Sequence, residues 1–524
     1  MNDLLGLLLS WPIILISTLT FLYWHFTKTY DHWKKRGVVF EKPILLFGNL
    51  KERMLFRQSF HEYQRDAYFK FEGHPYAGLY EGRRPSLMLR DPELIKHVMV
   101  RDFEHFVDRP TFRLRSPAYT TNMLINLKGN EWKQVRQIMT PAFTSGKLKQ
   151  MHSLVEQCGK QMEEYFDSNI TEGNPKLEIE LKDFLGRFTL DVIATCAFGV
   201  ESNSIKFPES ELICVMAKFG DIPVYKRVIL FMIIVFIPMF ARFIPLSLFN
   251  SRVMEYLVAL SKKVAHMRKT EGVRRNDFLQ LMVEHQDDSN APSDDVIKVK
   301  TVTVGENGET KQKVFLSEDT VTAQSILFLI AGYETSSTLL MFASYQLSLN
   351  VDIQDKLRAH VNEILDKHGG KCTYEALQDM SYLEMVLNET LRMHPSVARV
   401  DRHCTLDYTL PDTNIVIRAG ESVNVPIMGL HYDPKYYPDP YKFDPDRFLP
   451  EEKAKRSPYV FLPFGAGPRN CIGLRFAMMS TKLAMVHVIR KFKLVRSENT
   501  KFEYNKHSML LKAKDGIRVN VERL

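Results

Sequence analysis

Cys471 lies in "FLPFGAGPRNCIGLRFAMM", Phe461 to Met479, with Arg469 just before it and Gly473 just after. A lone cysteine is ordinarily a small buried hydrophobe, but these surroundings suit chemistry. Gly465, Gly467 and Pro468 exclude a helix before Asn470, whereas Leu474 to Met479 suits one that starts almost at the cysteine. A thiol at a helix N-terminus beside an arginine is expected to have a lowered pKa and to be held as thiolate. That makes it a nucleophile or a metal ligand. A second constellation is "AGYETSS", Ala331 to Ser337, where Gly332, Glu334, Thr335, Ser336 and Ser337 interrupt an otherwise apolar helical run. A glycine in mid-helix costs about 1 kcal/mol against alanine. Gly332 is expected to let a flat cofactor or O2 approach the backbone, and Thr335 and Glu334 to hand protons inward.

Three chemistries compete for Cys471. A dinucleotide fingerprint fails, because Asn470 stands where its third glycine is needed. A cysteine nucleophile needs a base, and no nearby histidine follows a recognisable pattern for one. The third is a single thiolate on a haem iron, where the cysteine pushes electron density onto the metal and favours O–O cleavage, and here a resemblance decides. Phe464, Gly467, Arg469, Cys471 and Gly473 resemble, residue by residue, the haem-binding signature of cytochrome P450 enzymes. Ala331, Gly332, Glu334 and Thr335 resemble the oxygen-activation motif of the same family, with Tyr333 at its variable position. "ETLR", Glu389 to Arg392, and "PDRF", Pro445 to Phe448, follow in the family's order. Alone, E-x-x-R is weak and reads as a surface pair. In this order Glu389, Arg392 and Arg447 resemble the family's buried triad, a scaffold rather than a chemical device. "WKQVR" sets Trp132 and Arg136 one helical turn apart.

The resemblance implies haem b, iron protoporphyrin IX, with Cys471 as its axial ligand. It assigns Trp132, Arg136, Arg402 and Arg469 to the propionates, gives the backbone room at Gly467 and Gly473, and has Phe464 shield the sulfur. It implies a monooxygenase that inserts one oxygen atom of O2 into lipophilic substrates, xenobiotics first. A dedicated hydroxylase of an endogenous steroid or fatty acid is the alternative, and a reductase-independent isomerase or dehydratase a remoter one. "TPAFTSGKLKQM", Thr140 to Met151, resembles the clan of vertebrate drug-metabolising and insect detoxification enzymes. With no flavin or nicotinamide motif in the chain, electrons are expected from NADPH-cytochrome P450 reductase, with cytochrome b5 as a second donor. Docking is expected near Lys133, Lys147 and Lys149. Candidate pocket walls are Phe112 to Leu124, the run near Val228, Phe328 to Ala331 and Ser396 to Val400. His394 and His403 are read as structural.

The elements that must position these residues are legible as patterns. One long helix is expected from Ser317, a good N-cap, to about Leu349, and another from Ser381. "YAGLYEGRRPSLMLRD" reads as strands, the chain beyond residue 130 as mostly helical, and Asp287 to Lys313 as an exposed loop. The fold class is mainly α with a smaller β-rich part and an N-terminal transmembrane anchor. The boundaries are 1–26 for the anchor, 27–43 for a juxtamembrane linker and 44–524 for the catalytic domain. Leu4 to Phe26 carries no formal charge. At about 1.5 Å per residue it spans the roughly 30 Å hydrocarbon core. Trp24, Tyr30, Lys34, Lys35 and Arg36 then suit a retained anchor with the remainder in the cytosol, at the endoplasmic reticulum membrane. Val228 to Ala241 is too short to span and is read as a surface element dipping into lipid.

The 524 residues carry a formal charge of +8 with 45% hydrophobic residues, an ordinary globular composition. No basic run interleaved with aromatics appears, which excludes a nucleic-acid binder. Six cysteines without C-x-x-C spacing are read as no disulfide framework and no zinc site.

Overall fold

A computed structural model describes residues 2–110, 116–220, 249–271, 277–286, 296–304 and 309–524, together with 222–223, 225–226, 228–229, 232–233 and 275. The architecture is mainly helical with a smaller part in sheets. Its axis is the helix Glu318–Leu349, 32 residues long, which begins where Ser317 Oγ accepts from the Thr320 amide at 3.2 Å. Glu318 and Asp319 in its first turn favour the positive end of the helix. The helix is long and apolar enough to cross a membrane, yet 67% of its most apolar window is buried. It is a core helix, apolar because neighbours cover most of it, apart from the open stretch around Ala331.

Helix Leu181–Ile193 packs along it, with Ser145–Asn169, Val351–Lys367, Ser381–Met393 and Leu474–Lys491 around the pair. A four-stranded sheet lies to one side. Its order is Tyr76–Glu81, Arg84–Leu89, Ser422–Val425, Val400–His403, with the central pair parallel and the outer pairs antiparallel. A three-stranded sheet joins Phe492–Arg496, Arg518–Arg523 and Lys176–Glu180.

One sequence reading is corrected. The stretch expected as an exposed loop holds an antiparallel hairpin, Ile297–Val304 paired with Glu309–Leu316, while 287–295 and 305–308 lie outside the described residues. Its alternating Ile-Lys-Val-Lys-Thr-Val-Thr-Val pattern is a strand period, masked by its high polarity. The 27–43 segment packs against the four-stranded sheet and its neighbours. Trp33 is buried, its Nε1 donates to Leu79 O at 3.1 Å, and Arg36 forks onto Glu421 with both bonds at 2.8 Å. Gly78 is glycine because a Cβ there would meet the Trp33 ring at 2.4 Å. Most of Val228 to Ala241, and Phe112 to Arg115 of the expected pocket wall, lie outside the described residues.

Candidate haem site

The cysteine loop is built backwards from its helix. Leu474–Lys491 starts with Gly473 as N-cap, and the Cys471 amide donates to Phe464 O at 2.9 Å, closing the loop. Gly465 and Gly467 turn it at φ 70° and 69°, a left-handed conformation that side chains resist. At Gly467 a Cβ would lie 1.8 Å from Met99 O, so the glycine answers to the His97–Arg101 turn beneath it. At Gly473 a Cβ would meet only Phe143, at 3.8 Å. Gly467→Ala is therefore expected to cost more than about 3 kcal/mol, from left-handed strain plus backbone overlap. A fall in thermal midpoint of less than 2 °C would contradict this.

Cys471 keeps solvent-accessible surface, and Phe464, whose carbonyl takes its amide, is half-buried. Burial pushes the Cys471 thiol up, although the amides of Gly473 and Leu474 and the charges of Arg136 and Arg109 pull the other way. In the chain without its iron, desolvation by the dense protein around the sulfur opposes the helix end. Arg469 is not among its partners. That guanidinium turns away to donate to Val107 O and Leu127 O, each at 2.7 Å, and lies 4.3 Å over the Trp132 ring.

Four arginines converge beside the loop. Arg136 donates to Asn470 O at 2.8 Å and Asn470 Oδ1 at 2.9 Å, and Arg109 to Arg469 O at 3.4 Å. Arg402, on Val400–His403, is 1% exposed and, among the described residues, donates only to Asp401 O at 3.0 Å. Its Nε and Nη2 are buried without partners, as is Arg109 Nε. Burial and mutual repulsion hold Arg402 and Arg469 down to about 9. Asp108, 3.7 Å from Arg469, is the one carboxylate paired with that residue. A buried guanidinium with unfilled donors costs several kcal/mol, so this cluster demands further negative charge. Two carboxylates on one flat group meet it, and the residues present fit haem. Arg109 was missed in the sequence, where a single arginine before a proline carries no period or motif.

The oxygen-side helix presents two faces. Ala331, Gly332 and Thr335 are open or half-open, and Thr335 Oγ1 donates to Ala331 O at 2.7 Å. Glu334 points elsewhere. It is 5% exposed, with Lys182 Nζ at 3.2 Å and Lys512 Nζ at 3.3 Å. Burial opposes its ionisation, but the two lysines hold its carboxyl below the usual range. Gly332 is required by packing, since a Cβ would meet Ile193 at 2.8 Å. The loop and this helix are tied together. Arg469 holds Leu127 O, the neighbouring Leu124 amide donates to Gln324 Oε1 at 2.9 Å, and Gln324 returns a bond to Asn122 O at 2.5 Å. Gln324 was also missed, being one polar residue in an apolar run.

The triad residues come together away from the cleft. Arg392 Nε and Nη2 grip Glu389 at 2.7 and 2.9 Å, both side chains fully buried, and Arg447 Nε stands 3.5 Å from the same carboxylate. Burial works against Arg392, but the Glu389 bonds hold its pKa above the ordinary value. Arg392 also donates to His431 O at 2.8 Å, and His431 Nε2 accepts from the Leu462 amide at 3.0 Å. Through His431 the pair holds the start of the cysteine loop. His394, buried and stacked 4.1 Å from Phe342, belongs to the core, and His403 to its strand.

A family model described as cytochrome P450 matches residues 39–521. The chain is 39% identical over 490 residues to cytochrome P450 9e2 of Blattella germanica, covering 89% of each chain. It is 36% identical over 517 residues to cytochrome P450 6k1 of the same organism, covering 96% of this chain and 95% of the relative. It is 34% identical over 529 residues to probable cytochrome P450 6a23 of Drosophila melanogaster, covering 99% and 100%. With that similarity over nearly its whole length, the chain belongs to the cytochrome P450 family, monooxygenases whose haem iron is held by a cysteine thiolate.

Proposed function

We propose that this chain is a membrane-anchored monooxygenase of lipophilic compounds, foreign ones foremost, holding haem b on Cys471 and drawing electrons from NADPH through a separate reductase. The observation that carries it is the set of buried, unpartnered guanidinium atoms on Arg402 and Arg109 beside an accessible cysteine. Arg402, Arg109, Arg136 and Arg469 with Trp132 would hold the propionates, and Cys471 the iron. Bound there, haem supplies the redox chemistry that splits O2.

The chain's own residues divide the remaining work. Thr335 keeps a hydroxyl on the cleft side of its helix and is the nearer relay for protons. Glu334, clamped by Lys182 and Lys512, is a carboxylate that positions those cations and can pass a proton only when one lysine releases it. The apolar residues Phe328 and Leu329, with Phe143 stacked 5.4 Å from Phe328, supply an oily wall that favours lipophilic ligands and excludes water. The helix Asn2–Thr27 supports the anchor, since Trp11, Ile13, Ile14, Ile16 and Phe21 are exposed along it. Such a stretch suits lipid rather than water. The names of the relatives support a monooxygenase of the same kind and say nothing of a substrate.

The test is reconstitution with reductase and NADPH against a panel of lipophilic foreign compounds, steroids and fatty acids. Oxygen from O2 in the product, dependent on both additions, is expected. Turnover without NADPH would sink the reading in favour of a rearrangement. Two further results are expected. Arg402→Gln relieves repulsion in the haem-free protein but speeds haem loss to a scavenging globin by about tenfold, one lost charge-assisted contact. Unchanged haem transfer would remove Arg402 from the propionate set. Lys133, exposed on the cysteine side, is proposed for reductase docking; Lys149 instead reaches Glu375 at 2.5 Å. Lys133→Glu should slow electron transfer roughly fivefold at low salt, less as salt rises, with substrate affinity unchanged.

A further inference from the structure

A second group of metal-ligating side chains lies on the helix Ser145–Asn169, where His152 and Glu156 are one turn apart and face the same way. Cys372 reaches them from the turn after the helix Val351–Lys367. That turn is made by Gly369 and Gly370 at φ 65° and 74°, with the Gly370 amide donating to Leu365 O at 2.8 Å. The chain can therefore double back at once. A ring nitrogen of His152, a carboxylate oxygen of Glu156 and the Cys372 sulfur then lie within 4.8 Å of one another.

The protein leaves the imidazole a task undone. His152 is 9% exposed, and its Nε2 is buried with no hydrogen-bond partner. Tyr374 covers the ring edge-on at 6.4 Å. Burial lowers the pKa of His152 against the pull of Glu156, Glu375 and the Cys372 backbone, which favours the neutral ring. Glu156 is ionised: burial opposes this, but His487, whose Nε2 is 3.2 Å away, holds its pKa down.

We propose that His152, Glu156 and Cys372 form a zinc site, with water as fourth ligand. One sulfur, one imidazole nitrogen and one carboxylate oxygen suit Zn2+, and exclude Mg2+ and Ca2+, which take oxygen ligands. A thiolate and a carboxylate also balance its two charges, which a half-buried position requires. Tetrahedral zinc separates its ligand atoms by about 3.5 Å. The three groups must close by about 1 Å, within reach of a cysteine carried on a turn. Burial pushes the Cys372 thiol up to about 12. Binding therefore forms the Zn–S bond as the S–H bond breaks, and one proton leaves to the buffer with no change of oxidation state. Glu156 exchanges His487 for the metal, while His487 keeps Glu163, 2.7 Å from its Nδ1. The site pins the 368–373 turn to the long surface helix.

The test uses the full-length holoprotein in detergent, stripped with EDTA and reloaded with zinc chloride. Expected are one zinc per chain, a zinc-edge absorption spectrum with a sulfur neighbour at about 2.3 Å, and about one proton released per ion. Cys372→Ser and His152→Asn should each weaken zinc binding by at least a hundredfold, with the reduced, CO-bound spectrum unchanged as proof of folding. Substoichiometric zinc, zinc without a sulfur neighbour, or undiminished binding by Cys372→Ser would overturn the site. If a variant fails to fold, the sulfur distance in the unaltered protein decides alone.

Discussion

Replacing Cys471 with alanine is expected to leave a folded chain that has lost its chemistry. The side chain keeps solvent-accessible surface, and what holds the loop is its backbone amide on Phe464 O, which alanine keeps. Stability of the haem-free protein should therefore change by less than about 1 kcal/mol, the range of surface substitutions. Turnover should fall by at least about a thousandfold, near 4 kcal/mol of barrier, because the electron donor to iron is gone. The measurement is a reduced, CO-bound difference spectrum of membranes carrying each protein. A red-shifted thiolate-haem band in the natural chain and its absence in Cys471→Ala would fix cofactor and ligand together. The same band in both would sink the assignment of Cys471. Cys471→Ser separates size from chemistry: it fills the same space, with an oxygen that binds iron and donates less.

The second large effect concerns folding. Arg392→Ala leaves Glu389 a buried carboxylate with only the Asp444 amide at 2.9 Å and Arg447 at 3.5 Å, and leaves the carbonyls of His431 and Pro440, now bonded at 2.8 and 2.9 Å, without that donor. Breaking one partner of a buried pair costs about 3–5 kcal/mol, and each orphaned carbonyl about 1–3 kcal/mol more. Against a total stability of roughly 5–15 kcal/mol, little folded protein should survive at 37 °C. Arg392→Lys keeps the charge but loses the fork, and should lose more than half as much. Because His431 bridges Arg392 to Leu462, the fraction that folds should also hold haem poorly. Thermal unfolding of the purified variants checks this. A loss below about 1 kcal/mol for Arg392→Ala would show that the pair carries no load. Glu389→Gln combined with Arg392→Met should cost less than the sum of the two single changes, since both act on one contact.

The long helix illustrates what local chemistry decides. Ser317 as N-cap, the acidic first turn and an unbroken apolar run define Glu318–Leu349 without reference to any partner. The start of the last long helix just after Cys471, the turn glycines before it and the order of the motifs are legible in the same way. Each depends on neighbours within a turn or two, where side-chain size, backbone freedom and hydrogen-bonding groups act directly. The hairpin at 297–316 shows the limit, because its alternation was outweighed by charge and its pairing depends on a partner strand.

What tertiary structure decided is which distant groups meet. Glu334 is an acid beside a threonine in the sequence; only folding brings Lys182 and Lys512 to it and makes it a clamped carboxylate. Gly467 reads as a turn residue until the Met99 carbonyl is placed beneath it. The helix end that should have lowered the Cys471 pKa is present, but burial by the surrounding chain opposes it. Arg402 carries its role in the sequence only through the resemblance, and Arg109 carries none until folding buries it beside Arg402 and Arg469, with more positive than negative charge around them. Sequence determines these elements because their energies are local, whereas charge, burial and steric fit are set by groups hundreds of residues apart that only the packed chain brings within a few ångströms.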